Sequence, residues 1–182
     1  MREIALHILD VAENGITAGA DCITIIVDEA RVENLLRIII ADNGKGIQTD
    51  KVNTLTDPFV TSRTTRRVGL GLSLLEAAAR RCEGDLTIDS QPGQGTRITA
   101  TFRYDHIDRA PMGDMTGTLM TLIMGNTEVD FVYSHRIDSH HFDLDTRELK
   151  AELGPLYMTD AAVMYHLKQT IRTQLEQLES EA

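Results

Sequence analysis

Asp42-Asn43-Gly44-Lys45-Gly46-Ile47 is the stretch whose reading decides the fold. Alone, an Asp-x-Gly-x-Gly run closing an apolar segment is an ordinary strand-to-turn sequence. The segments on either side change that reading. Upstream, a helix-like run carries Asp10, Glu13 and Asn14; downstream come Val68-Gly69-Leu70-Gly71-Leu72 and then Gly93-Gln94-Gly95-Thr96. Four such elements in this order, all before residue 105, describe one pocket.

The totals bound what that pocket serves. A chain of 182 residues suits one domain, or one with a small appendage. Aromatics are scarce at 4% and Trp is absent, so the core must be aliphatic. The net charge of −10 argues against nucleic-acid backbones as partners. It does not exclude a phosphate ligand, which needs only local cations and amides. Cys22 and Cys82 lie far apart and read as small buried residues in a reducing compartment. The N-terminus lacks a signal-peptide pattern, and apolar runs such as Ile38-Ile39-Ile40-Ala41 are strand-sized, so the chain is expected in the cytoplasm, away from membranes.

Periodicity places the elements. Glu3 to Ala20 reads as a helix, apolar at Ile4, Ile8, Val11 and Ala12, with a polar stripe of His7, Asp10 and Asn14. Cys22–Asp28 and Leu35–Ala41 read as a hairpin, and Gln48–Val68 as a basic, Thr-rich loop. Gly69–Cys82 predicts a helix; Leu86–Ser90 and Thr96–Tyr104 alternate as strands. Asp105–Gly117 reads as a linker. Beyond it, Thr118–Met124, Glu128–Ile137 and His140–Asp145 predict three antiparallel strands, followed by helices over Thr146–Leu153 and Asp160–Glu179. Met164, Leu167, Ile171, Leu175 and Leu178 form one apolar stripe, suited to a core or to self-association as a homodimer.

The chemistry follows from residue types. Asp10 and Asn14 are four apart on a helix and share a face. An amide oxygen can complete the shell of a hard Mg2+ ion, and the carboxylate can orient a water or a hydroxyl. Asp42, ending a buried strand, can accept a hydrogen bond from an adenine amino group, while Gly44 and Gly46 allow close backbone approach. Gly69, Leu70 and Gly71 open a helix whose bare amides suit an anion, and Arg63, Arg66 and Arg67 precede it. In the C-terminal part, His135, Asp138, His140, His141, Asp143 and Asp145 invite a metal reading. Strand alternation sends His140 and His141 to opposite faces, so they read as hairpin side chains.

Together these elements resemble the gyrase, Hsp90, histidine kinase and MutL superfamily of ATPases. Asp10–Ala20 is similar to its N box, Asp42–Gly46 to its G1 box, Asp57-Pro58-Phe59 to its F box, Gly69–Leu72 to its G2 box, and Gly95-Thr96 to its last glycine-rich element. The resemblance implies an α+β two-layer sandwich, the Bergerat ATP-binding fold, with a mixed sheet and helices on one face. It covers residues 1–104, leaving 105–117 as linker and 118–182 as a small α+β extension. It implies ATP and Mg2+ as ligands. By position, Asn14 would bind the metal and Asp42 would read adenine. Gly44, Gly46, Gly69, Leu70 and Gly71 would meet the nucleotide through backbone, with Thr96 supporting the adenine end. Arg63 and Arg67 would lie in a short lid over about Pro58–Val68. Asp10 stands where gyrase-like members place the Glu that activates water.

Asp57-Pro58-Phe59-Val60-Thr61-Ser62, with the Gly-Leu-Gly-Leu run after it, looks most like the catalytic domain of sensor histidine kinases. The phospho-accepting helical hairpin of such kinases is expected to be missing, because the ATP-binding segment begins at residue 1. His106-Ile107-Asp108-Arg109-Ala110-Pro111 echoes an acceptor box but places its acid one position late. The expectation is therefore a stand-alone kinase module that phosphorylates a partner protein in trans. The alternative is an ATP-dependent conformational switch with slow hydrolysis.

Overall fold

The computed structural model describes residues 3–48, 70–154 and 160–181. Helix α1 (Ile4–Thr17) buries Ile4, Ile8, Val11 and Ala12, the side that the apolar spacing marks. Among the described residues no side chain caps its start. Instead the Ile4 and Ala5 amides donate to the Pro111 and Met112 carbonyls at 3.0 and 2.8 Å, so a much later segment satisfies the free helix donors. Strands β1 (Cys22–Ala30) and β2 (Leu35–Asp42) pair antiparallel, with Ile25 opposite Ile40 and Val27 opposite Ile38. Burial alternates along both, as β-branched residues on a one-sided sheet require.

Helix α2 (Leu70–Arg81) is followed by β3 (Leu86–Gln91) and β4 (Gly95–Arg103), then by α3 (Met115–Gly125). Strands β5 (Asp130–Ile137) and β6 (His140–Asp145) come next, and α4 (Thr146–Leu153) and α5 (Ala161–Glu181) end the chain. The six strands form one sheet in the order β3-β4-β2-β1-β5-β6. Every pairing is antiparallel except β1 with β5, so the sheet is mixed. Its inward rows, such as Ile88–Ile98–Ile40–Ile25–Tyr133, feed a core that is aliphatic apart from Phe102, Phe131 and Tyr133. Helices α1, α2 and α5 lie on that face and α3 is wedged between α1 and α5. The expected two-layer α+β sandwich is what forms.

The C-terminal part differs from expectation in two ways. Thr118–Met124 is not a strand but the body of α3. Its Met/Leu/Thr/Ile run is apolar on all sides, which periodicity cannot separate from a buried strand. Asp114 decides the matter by accepting from the Gly117 amide at 2.7 Å, an N-cap inside the segment that reads as linker. Nor do the later strands form a sheet of their own. β5 and β6 make the expected hairpin, but β5 runs parallel beside β1, with Ile23 opposite Phe131 and Val27 opposite His135. The apolar stripe of α5 is used within the chain: Met164, Leu167, Ile171 and Leu178 are buried.

Candidate nucleotide site

Strand register builds one polar row at the end of an otherwise apolar face. Asp42 stands between Ile23 and Thr96, and Ser90 follows beside Thr96. One Asp42 carboxylate oxygen accepts from the Gly44 amide at 2.9 Å, and the Thr96 amide also donates to the carboxylate. Burial pushes the Asp42 carboxyl above its usual range, while these two N–H donors hold that rise back. Asn43 ties the turn down. Its Oδ1 accepts from the Asp21 and Cys22 amides, both at 3.0 Å, and its Nδ2 donates to the Asp21 carboxylate. Gly46 sits at φ +64, and a Cβ there would lie 2.0 Å from the Gln91 carbonyl oxygen, so only glycine lets this loop lie against β3.

Helix α1 approaches the same row. A Cβ on Gly15 would meet both Asp42 Cβ and Ile23 Cδ1 at 2.8 Å, so the helix rests directly on the end of β2. Asn14, one residue earlier, is half-buried, as is Asp10 one turn back. Asp10 in turn lies against the start of α2, because a Cβ on Gly71 would be 3.0 Å from Asp10 Cβ and 3.1 Å from its Oδ2. The structure thus brings Gly15, the residue after Asn14, to Asp42, and Asp10 to Gly71. His7, expected on the polar stripe, is instead buried at 2% exposure, and its Nδ1 has no hydrogen-bond partner among the described residues. Burial, aided by the N-terminal charge, lowers its pKa; Asp10 and the Gly71 backbone oppose this.

A cavity of about 540 Å3 opens along the ends of β2, β3 and β4, lined by Asp42, Ser90 and Thr96 of the polar row, by Gly95 beside them and by Asp89 and Arg97 from the opposite face. Its size falls in the range of small-ligand sites. Gly44 is buried in the turn after Asp42, where a Cβ would lie 3.0 Å from both the Ala18 carbonyl oxygen and Asp42 Oδ1. The donor set fits a purine nucleotide with a hard cation. Asp42 offers a half-buried acceptor, the α2 N-terminus offers the positive end of a helix dipole for anionic oxygens, and Asn14 carries an amide oxygen suited to Mg2+. Arg63, Arg67 and Gly69, with the F box and lid segment, lie outside the described residues, as does the side chain of Leu70.

The C-terminal candidates take other places. His135 is buried, with Nε2 2.8 Å from Glu29 Oε1 and Nδ1 2.8 Å from the Tyr133 hydroxyl. His141 and Asp143 are exposed on β6. The His106 segment forms turns, and His106 Nε2 lies 3.9 Å from a Glu83 carboxylate oxygen.

A one-sided mixed sheet with a half-buried acceptor at its end, an amphipathic helix above it and a second helix opening toward that helix's carboxylate defines a nucleotide-binding ATPase fold. The chain belongs to the Histidine kinase-, DNA gyrase B-, and HSP90-like ATPase family, whose model matches residues 2–106. It is an ATP-binding, kinase-like module. An uncharacterised sensor-like histidine kinase of Rhizobium meliloti is 41% identical over 86 residues, 44% of this chain and 16% of that protein. Sensor histidine kinase RcsC of Salmonella typhimurium is 36% identical over 102 residues, 52% of this chain and 11% of that one. The chain therefore spans only a small part of the curated relatives' length. Among solved structures, the N-terminal domain of a DNA repair protein superposes with TM-score 0.55 at 13% identity, over 87% of this chain and 59% of that one. The Aquifex aeolicus MutL ATPase domain complexed with ADP gives 0.51 at 14%, over 84% and 68%. Both likenesses concern the fold alone, and both reach past the segment that the family model matches.

Three residues of the site escaped the sequence reading. Gly15 enters the sequence reading within the N-box run, without a site role, although its position directly after Asn14 could have signalled a close contact. Asn43 reads as one more turn residue in Asp-Asn-Gly. Ser90 carries no local signal, because only strand register brings it to Thr96.

Proposed function

We propose that this chain is a Mg-ATP module that hands the γ-phosphate to an acceptor on a separate protein, in the cytoplasm, as part of a signalling pathway. The observation that carries the reading is the meeting of α1 with the polar row, Gly15 against Asp42 and Asp10 against Gly71. The likeness to sensor histidine kinases supports phosphotransfer over other outcomes. In this reading Asp42 accepts from the adenine amino group and Thr96 supports that end. Gly44 and Gly46 let the backbone close on the base, and Gly69, Leu70 and Gly71 turn amides to the phosphates. Arg63 and Arg67 supply cations from the lid. Asn14 holds the Mg2+ ion, which when bound neutralises phosphate charge. Asp10 orients or deprotonates a Ser/Thr hydroxyl; an imidazole acceptor needs no such base.

A second reading is an ATP-dependent switch with slow hydrolysis, in which Asp10 activates water. The bonds from Ile4 and Ala5 to Pro111 and Met112 favour it, because they join the site's helix to the segment leading into residues 118–182. That extension would then serve as the partner-facing unit. A homodimer through α5 would have to use its outward face, since the apolar stripe is already buried. No helix among the described residues is long and apolar enough to cross a membrane.

Incubation with γ-labelled ATP and Mg2+, with and without proteins of the source cell, separates the readings. Acid-labile label on a protein indicates phosphohistidine or phosphoaspartate; acid-stable label indicates Ser/Thr transfer. Free phosphate with no labelled protein supports the switch and contradicts the kinase.

A further inference from the structure

Ser90 closes a hydrogen-bond set that fixes the direction of the Thr96 hydroxyl. Its Oγ lies 3.0 Å from the Gly95 carbonyl oxygen, 2.9 Å from the Ile47 amide nitrogen and 2.9 Å from Thr96 Oγ1. A serine hydroxyl has one proton and two lone pairs. The Gly95 carbonyl only accepts, so the Ser90 proton points there. The Ile47 amide only donates, so it occupies one lone pair. The contact with Thr96 then needs the other lone pair, and the Thr96 hydroxyl must supply the proton. No other assignment makes all three contacts hydrogen bonds. Thr96 Oγ1 is left with lone pairs alone toward the cavity it lines with Asp42 and Ser90.

We propose that Ser90 is a positioning residue for base selection: by holding the Thr96 proton, it leaves an edge of acceptors only, Asp42 and Thr96, that takes a 6-aminopurine and rejects a 6-oxopurine. This rests on reading the cavity as the base end of the ATP site. A 6-amino group donates to such an edge. A 6-oxo group faces it acceptor to acceptor, and a site built for one hydrogen-bonding pattern discriminates strongly against its complement.

The test is the ratio of affinities for Mg-ATP and for the magnesium complex of inosine triphosphate, which carries the 6-oxo group, measured by calorimetry. Wild type is expected to prefer ATP by about tenfold or more. Ser90→Ala frees the Thr96 proton to turn toward a 6-oxo group, and the ratio falls by roughly three- to tenfold. Loss of the Ile47 contact weakens both ligands by a common factor, which cancels in the ratio. Ser90→Thr keeps the hydroxyl and retains the wild-type ratio. An unchanged ratio in Ser90→Ala, with both affinities lowered alike, makes the residue merely structural and overturns the proposal. Wild type that binds no ATP, or binds it undiminished in Asp42→Asn, overturns the reading of the site itself and this inference with it.

Discussion

At the scale of single residues, the site is held by contacts that tolerate little. A methyl group on Gly46 would collide with the Gln91 carbonyl in a loop at positive φ. Gly46→Ala is therefore expected to destabilise the fold by about 2 kcal/mol or more, read as a fall in thermal midpoint. A variant with wild-type stability would show that the loop can move off β3. The carriers of this chemistry were legible in unequal degree. Asp42, Asn14 and Asp10 stand in ordered motifs, so sequence alone singles them out. His7 looks like part of an exposed stripe, but the closeness of α2 to α1 buries it, a tertiary fact that helical spacing does not contain. Its lowered pKa makes a pH prediction. Unfolded, the ring titrates near 6.5; folded, burial opposes its protonation. Stability from the neutral ring is complete above that value and declines as pH falls below it. Thermal midpoints measured from pH 7 down to pH 5 should fall less steeply in His7→Gln than in wild type. Parallel slopes would remove His7 from the account.

At the scale of elements, propensity predicted type well where burial alternates and poorly where it does not. The hairpin β1–β2 and the pair β3–β4 follow from β-branched alternation, and their expected ends lie close to the observed ones. Helix α3 escaped because Met115, Thr118, Leu119, Met120, Leu122 and Ile123 are all buried, and its exposed side, Thr121, Met124 and Gly125, carries no charge to mark the period. Its N-cap was visible as Asp114 but was absorbed into an apparent linker. Asp114→Ala is expected to cost about 1 kcal/mol by denaturant unfolding. No change would indicate that packing alone holds the helix. The β1–β5 junction carries a second acid-sensitive feature. Burial alone would raise the Glu29 carboxyl, but the hydrogen bond and charge of His135 outweigh it and hold it below the usual range. A depressed carboxyl contributes stability above its unfolded pKa and loses it as pH falls through the folded value. Glu29→Gln should therefore flatten the loss of stability below about pH 4.5. An acid limb as steep as that of wild type would contradict this.

At the scale of the whole molecule, one sheet joins the segment that the family model matches to the strands that follow it. Sequence reading saw a boundary near residue 105, because Pro111, Gly113 and several Asp residues interrupt any pattern there. The parallel pairing of β5 with β1 is a contact between distant segments, and hairpin logic favours neighbours instead. The same continuity puts α5 into the core, so Ile171→Ala should destabilise the entire fold by about 2–5 kcal/mol in a single transition. Two separate transitions would show that residues 118–182 fold apart. The central claim remains that the row ending in Asp42 and the face of α1 ending in Asn14 are one Mg-ATP site. Calorimetric titration of ATP with and without Mg2+ tests it most directly. The account predicts magnesium-dependent binding in wild type, roughly ten- to hundredfold weaker in Asp42→Asn, and without its magnesium dependence in Asn14→Ala. Binding that is unchanged in both variants would contradict it.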